Sequence, residues 1–273
     1  MAANASLLAD AFSPRRAFAR LAATLVLSMI AASSASAEQR RVRIATEGAY
    51  PPFNFVASDG SLQGFEIDLA KAVCARENLD CSFVAQDWEG LIPGLLASKY
   101  DAVFASMSIT EERRRVVDFT EKYYSSPAMF AVDSLNVGMD LSPKAMSGKV
   151  VGAQAATVSA RYLEAIYGPA GAEIKLYSAQ DEANLDLVSG RLDAMLCDKL
   201  VLLPWLDGTD EGKCCRAAGP EISDPAFFGD GVGAALRKGD VELKKLIDDG
   251  VAKLRADGEY ARINARYFPF SVF

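Results

Sequence analysis

Short apolar runs alternate with helical periods along most of this chain, and that rhythm constrains its fold more than any single motif. RVRIAT predicts a strand, FEIDLAKAVCAREN a helix and CSFVAQ the next strand. The same order resumes in the second half, where KVVGAQ predicts a strand and TVSARYLEAIYG a helix. Because strands joined through helices run parallel, we expect an α/β protein with mainly parallel sheets flanked by helices.

The chain also resembles itself. LLASKYDAVFAS aligns with LVSGRLDAMLCD, and IATEGAY aligns more weakly with VGAQAAT. Two such pairs in the same order predict two lobes of similar plan, and no Pro/Ser-rich linker separates them.

Four polar side chains fall at the carboxyl ends of these predicted strands. The repeat sets Ser106 opposite Asp198 and Glu47 opposite Gln154. Open α/β sheets bind their ligands at that edge. Two lobes that face each other through such edges would form a polar cleft.

The stretch ASMSITEERR carries its charges in an unusual order. If Thr110 caps the helix that follows, Glu111 and Glu112 stand favourably in the first turn. Arg113, however, places a cation at the positive end of the helix dipole. The dipole alone gives no reason to keep a cation there.

The first 37 residues have the features of an export signal. The basic stretch RRAFAR precedes the apolar run LAATLVLSMIAA, and the small residues that follow predict cleavage after Ala37. The apolar run is too short to span a bilayer. The basic stretch also approximates a twin-arginine signal, so the export route stays open. We expect an exported protein.

Charge and residue types exclude several functions. Removal of the signal takes away three Arg and one Asp, which leaves 26 positive and 35 negative charges. An acidic protein of this kind disfavours nucleic acid and anionic membranes as partners. The chain has no His, so the usual zinc ligand and the standard catalytic triads are missing. We predict no metal and no cofactor.

Five Cys are present, and two of them favour a disulfide. Cys74 and Cys81 join a predicted helix end to the next strand, and exported proteins form such bonds. Cys197, Cys214 and Cys215 remain, and the sequence leaves their pairing open.

Five segments carry a family resemblance. In chain order they are GFEIDLAKAVC, WEGLIPGLLASKYDA, ASMSITEERRRVVDFTEKYY, SGRLDAMLCD and FFGDGVGAALRKGDVEL. Together they resemble the periplasmic amino-acid-binding proteins of ABC importers, especially the lysine/arginine/ornithine-binding branch with its Cys-x6-Cys pair. The likeness covers essentially residues 40–270.

The resemblance implies a two-lobed fold that closes about a two-segment hinge. We expect a first lobe of residues 38–124 and 230–273, a second lobe of 128–224, and hinge segments near 125–127 and 225–229. Ligand contacts to both lobes would favour the closed state.

The resemblance also implies how the ligand's amino-acid end is held. Arg113 would bind the α-carboxylate in a two-pronged pair, which would explain the cation at the helix start. Ser106 and Ser108 would contribute main-chain and hydroxyl groups, and Asp198 would accept the α-ammonium group. Ala105 would line the same pocket.

The second lobe departs from the family at one turn. Its usual Gly-Thr-Thr-like sequence is replaced here by Ala156, Thr157 and Val158. The hydroxyl normally offered at position 158 is absent. Backbone N–H groups at this helix start would hold a carboxylate instead.

Selectivity is expected from the first lobe. Glu47 matches the family's acidic residue at the end of strand one, placed for a cationic side-chain head. Tyr50 and Trp88 would flank the aliphatic stem of the ligand. We assign Glu66 and Met107 to the fold.

The sequence therefore predicts a monomeric, non-enzymatic protein that captures a basic L-amino acid of the arginine, lysine, ornithine or histidine type. It would deliver this ligand to the permease of an inner-membrane ABC importer. Two alternatives stay open. One is an opine, a basic amino acid with an extra carboxylate, for which Ala105 makes room. The other is a cyclohexadienyl or arogenate dehydratase with Glu47 or Asp198 as the general acid.

Overall fold

The computed structural model describes residues 39–273, so the predicted export signal lies outside the described residues. In chain order the strands of this part are β1 (Arg41–Thr46), β2 (Ala49–Tyr50), β3 (Asn54–Val56), β4 (Leu62–Gln63), β5 (Asp80–Ala85), β6 (Ala102–Val103), β7 (Asp118–Phe119), β8 (Ala128–Asp133), β9 (Val150–Gln154), β10 (Glu173–Tyr177), β11 (Ala194–Asp198), β12 (Cys215–Ile222) and β13 (Ala235–Leu236).

The α-helices lie between these strands and after the last one. They are α1 (Phe65–Arg76), α2 (Leu91–Leu96), α3 (Glu111–Arg114), α4 (Val158–Tyr162), α5 (Gln180–Val188), α6 (Lys199–Gly208), α7 (Pro225–Phe228), α8 (Val241–Ala256) and α9 (Glu259–Asn264). Within residues 39–273 no helix combines the length and the apolar character that a membrane crossing requires.

Two five-stranded sheets of the same plan carry the fold. The first has the order β5-β1-β6-β13-β7 and the second the order β10-β9-β11-β8-β12. In each, three neighbouring strands pair in parallel and the fourth runs antiparallel. A small antiparallel sheet, β2-β3-β4, extends the first lobe. We call the two halves built on these sheets the first and second lobes. The predicted α/β class with mainly parallel sheets is confirmed.

The first lobe is held together by α1 and α8, which come from opposite ends of the described chain. Phe65 and Leu69 on α1 and Ile247 and Val251 on α8 belong to one buried cluster. Burial of each such side chain contributes about 1.5–3 kcal/mol. This packing explains why the C-terminal segment belongs with the N-terminal sheet.

The cysteines occupy three different situations. A disulfide joins Cys74 on α1 to Cys81 on β5, as the sequence predicted. The sulfurs of the adjacent residues Cys214 and Cys215 lie next to each other. Cys197 is a buried free thiol.

The chain crosses between the sheets twice, after β7 and after β12. Val232 forms antiparallel bridges to both Ser108 and Tyr124, so the two crossings lie side by side. The predicted hinge segments fall within these crossings, and residues 225–228 form the one-turn helix α7. Their action as a hinge stays a prediction.

Candidate ligand-binding site

One cleft between the lobes gathers the predicted binding residues. Its lining includes all ten of them: Glu47, Tyr50, Trp88, Ala105, Ser106, Ser108, Arg113, Thr157, Val158 and Asp198. It also includes Gln154, which the repeat had placed at the same sheet edge, and four residues that the sequence did not single out: Ser159, Gln180, Leu196 and Cys197. The contact of each with a ligand stays a prediction.

Arg113 enters the cleft from the start of α3. Thr110 caps this helix as predicted, since its Oγ1 accepts from the Arg113 N–H at 3.3 Å. The Arg113 guanidinium donates to Ser108 O at 3.0 Å and, across the cleft, to Ala156 O at 3.2 Å. It lies over the Trp88 ring, with Cζ 5.2 Å from the centroid. Two carbonyls and an aromatic face hold the guanidinium in place.

The arginines around Arg113 differ from it in their partners. Arg114 and Arg115 form ion pairs with Asp230 and Glu111 on the exposed surface. Among the described residues, no carboxylate forms an ion pair with Arg113. Burial lowers the pKa of Arg113 to about 10, and the charge of nearby Arg161 adds to the effect. An anionic ligand would stabilise the buried positive charge of Arg113.

Asp198 brings a carboxylate to the cleft from the second lobe. It ends β11 and stands at the N-cap of α6, yet its side chain makes no cap hydrogen bond. Instead, its Oδ2 accepts from the Tyr50 hydroxyl at 3.0 Å. Burial raises the pKa of Asp198 to about 6, although the Tyr50 hydrogen bond and the Arg113 charge oppose this.

Glu47 brings a second carboxylate, from the end of β1 in the first lobe. Its Oε1 accepts from Gln154 Nε2 at 2.6 Å. Burial raises the pKa of Glu47 to about 7, and the charges of Asp181, Asp87 and Glu66 add to the rise. The Gln154 hydrogen bond opposes it.

Ser106 makes hydrogen bonds within the first lobe. Its N–H and its hydroxyl both donate to Glu66, over 2.8 and 2.9 Å. The backbone of Ser106 is left-handed, with φ of 53°, which turns the N–H towards that carboxylate. The N–H and the hydroxyl hydrogen of Ser106 are therefore engaged, and its carbonyl and hydroxyl oxygens remain as acceptors. The contact of its main-chain and hydroxyl groups with a ligand stays a prediction.

Glu66 itself belongs to the fold, as expected. It is fully buried and also accepts from Asn54 Nδ2 at 2.9 Å and from the Tyr123 hydroxyl at 2.5 Å. Burial raises its pKa, while these hydrogen bonds oppose the rise. Met107, likewise assigned to the fold, is buried in the core.

The helix start in the second lobe uses Thr157 for its own cap. Thr157 Oγ1 accepts from the Ala160 N–H at 3.1 Å and donates to Gln154 O at 2.7 Å. Val158 then begins α4. The Thr157 hydroxyl is engaged, so an anion at this point would meet backbone N–H groups, as the missing hydroxyl at position 158 suggested.

Two cleft residues carried little local signal in the sequence. In the sequence, Gln154 was notable only as the repeat partner of Glu47. Gln180 is the first residue of α5, and no motif in the sequence marks it. Gln180 Nε2 donates to Asn184 Oδ1 at 3.0 Å and approaches Met195 Sδ at 3.1 Å. Such residues emerge only when the lobes are brought together.

A cleft between two mainly parallel sheets, with a guanidinium on one wall and carboxylates from both lobes, defines a two-lobed solute-binding protein. The chain belongs to the bacterial extracellular solute-binding proteins, family 3, whose family model matches residues 42–270. Its location is the periplasm.

Named relatives agree over nearly the whole chain. The L-arginine-binding protein of Pseudomonas aeruginosa is 43% identical over 255 residues, which cover 93% of this chain and 97% of the relative. The histidine-binding periplasmic protein of Escherichia coli is 37% identical over 254 residues, with the same two coverages. A solved ancestral arginine-binding protein bound to arginine superposes with a TM-score of 0.77 at 33% identity, covering 84% of this chain and 99% of that one.

Proposed function

We propose that this protein captures a basic L-amino acid between its lobes and delivers it to the permease of an inner-membrane ABC importer. The charge balance of the cleft carries the proposal. One guanidinium, Arg113, is set against two carboxylates, Asp198 and Glu47. A basic amino acid carries the complementary set, one α-carboxylate and two cations. Relatives that are named for arginine and histidine support the same ligand class.

In this proposal each charge has one partner. Arg113 binds the α-carboxylate, Asp198 accepts the α-ammonium group, and Glu47 takes the side-chain head. An unpaired buried carboxylate is costly, so a ligand that supplies both cations favours closure. The lobes of residues 38–124 with 230–273 and of 128–224 close about segments near 125–127 and 225–229. The protein acts as a monomer.

We propose binding without chemistry, and one observation favours a second candidate. A carboxyl group with a pKa near 7, such as Glu47, suits a general acid. A dehydratase of this fold would use it to protonate a leaving hydroxyl. Prephenate, however, lacks the α-amino group that Asp198 would accept.

A thermal-shift screen separates these candidates. Arginine, lysine, ornithine, histidine, octopine and prephenate are each added to the mature protein, because a ligand at about 100 times its Kd stabilises the native state by about 2.7 kcal/mol. We expect a large rise in Tm with at least one basic amino acid. Stabilisation by octopine alone, or by prephenate with its conversion to product, would overturn the proposal.

A further inference from the structure

Gln154 reaches the head-group end of the cleft from the lobe opposite Glu47. It ends β9, and only 2% of the residue is exposed. Its Nε2 donates to Glu47 Oε1 at 2.6 Å and to Ser178 O at 3.2 Å. Ser178 O is an obligate acceptor, and so is an ionised Glu47, so the amide nitrogen must face these two partners. The carboxamide Oε1 is then the atom of Gln154 left for the cleft.

We propose that Gln154 and Glu47 together form a head-group site that prefers a guanidinium to an ammonium group. This rests on the proposed function and adds a specificity-determining residue from the second lobe. A guanidinium presents five N–H donors in one plane, so it can donate to the Glu47 carboxylate and to Gln154 Oε1 at once. An ammonium group is a compact charge with three donors and gains less from a second, fixed acceptor.

Gln154 also affects the charge of Glu47. This effect must be separated from the role of Gln154 Oε1 as an acceptor for the guanidinium. Burial and the carboxylates of Asp181, Asp87 and Glu66 raise the pKa of Glu47, while the Gln154 hydrogen bond lowers it. Arg113 and Asp198 face the same cleft. Loss of Gln154 therefore favours protonated Glu47 near neutral pH, which weakens arginine and lysine alike. At about pH 8.5 the lysine side chain is still cationic and Glu47 is largely ionised. The effect that remains at this pH is the loss of the Gln154 Oε1 acceptor.

The test is Gln154→Leu, with binding of arginine and lysine measured by calorimetry at about pH 7 and about pH 8.5. At the higher pH we expect arginine affinity to fall about tenfold, as for loss of one charged hydrogen bond, while lysine affinity stays near that of the wild type. Gln63→Leu is the control, because Gln63 on β4 lies outside the cleft lining and its Nε2 donates to Ser61 Oγ at 3.0 Å. It should leave the arginine-to-lysine ratio unchanged.

A second variant separates loss of the head-group contact from a folding defect in Gln154→Leu. Gln154→Asn keeps the amide but shortens the side chain by one methylene, so it should lose the same preference while its thermal melting follows the wild type. An equal loss for both ligands at the higher pH would overturn the head-group role and leave the proposed function standing. Wild-type protein that binds neither ligand would overturn both.

Discussion

The Tyr50 hydroxyl donates to Asp198 Oδ2 over 3.0 Å, and the two residues belong to different lobes. Asp198 stands where a helix cap is expected, yet its carboxylate is turned to Tyr50 instead of the first turn of α6. Tyr50 is buried, and its pKa lies well above the usual value because of that burial and the Asp198 charge. The pair therefore links the lobes beside the proposed α-ammonium site.

We expect Tyr50→Phe to weaken binding of every amino-acid ligand by the same factor. The change removes the hydroxyl that donates to Asp198 across the cleft. We expect the binding free energy to become less favourable by about 1–3 kcal/mol. Calorimetry with arginine and citrulline measures the effect, because both share the α-ammonium group and differ only in the head. Tyr162→Phe, which alters a second-lobe hydroxyl away from the cleft lining, should bind as the wild type does. Unchanged affinities in Tyr50→Phe would show that the pair does not support the bound state.

Arg113→Ala should weaken all ligands alike while the protein still folds. The proposed ligand carboxylate would lose its buried partner, at a cost of about 2–5 kcal/mol. Thermal melting without ligand should still show a cooperative transition, because Arg113→Ala removes hydrogen bonds to two carbonyls and no ion pair with a carboxylate of residues 39–273. Affinities are measured by calorimetry.

The matched control for Arg113 is its neighbour. Arg114→Ala removes an arginine whose ion-pair partner is the exposed Asp230, so affinity should stay at the wild-type value. If Arg113→Ala bound arginine as tightly as this control, the α-carboxylate would lie elsewhere.

Much of the cleft could be predicted from the sequence because of topology. Parallel strands end at one sheet edge, so Glu47 and Ser106 lie at the same edge of the first sheet. Gln154 and Asp198 lie at the corresponding edge of the second sheet for the same reason. The direction of a side chain could not be predicted in the same way. Ser106 gives its donors to Glu66, 40 residues earlier in the chain. The bond between Glu47 and Gln154 spans 107 residues and forms only where the lobes meet.

The disulfide should stabilise the folded state. Cys81→Ser opens a loop between residues seven apart, and we expect the free energy of unfolding to fall by about 2–3 kcal/mol in urea titrations. Cys214→Ser is a useful comparison, since Cys214 and Cys215 are adjacent and a bond between them would restrain almost no unfolded chain. Mass spectrometry of non-reduced peptides should find Cys74 linked to Cys81. Free thiols at both positions in the exported protein would contradict this.

Glu47 should make the binding of a cationic head group depend on pH. Its pKa of about 7 in the folded protein results from burial, and only the ionised carboxylate attracts a cation. Affinity for arginine should therefore rise as pH increases through 7 and fall below it. Asp198, with a pKa of about 6, would affect arginine and citrulline alike through the shared α-ammonium group. The ratio of arginine to citrulline affinity thus isolates Glu47.

We expect this ratio to increase about tenfold between pH 6 and pH 8 in the wild type, in proportion to the ionised fraction of Glu47. Glu47→Gln keeps the shape and removes the charge, so its ratio should be low and constant with pH. Asp87→Asn removes a carboxylate whose charge raises the pKa of Glu47, so its ratio should still rise, with a midpoint at slightly lower pH. Calorimetry at several pH values measures all three proteins. If the arginine-to-citrulline ratio of the wild type is constant with pH, the ionisation of Glu47 does not control recognition of the head group. If the ratio still rises with pH in Glu47→Gln, a group other than Glu47 recognises the head group.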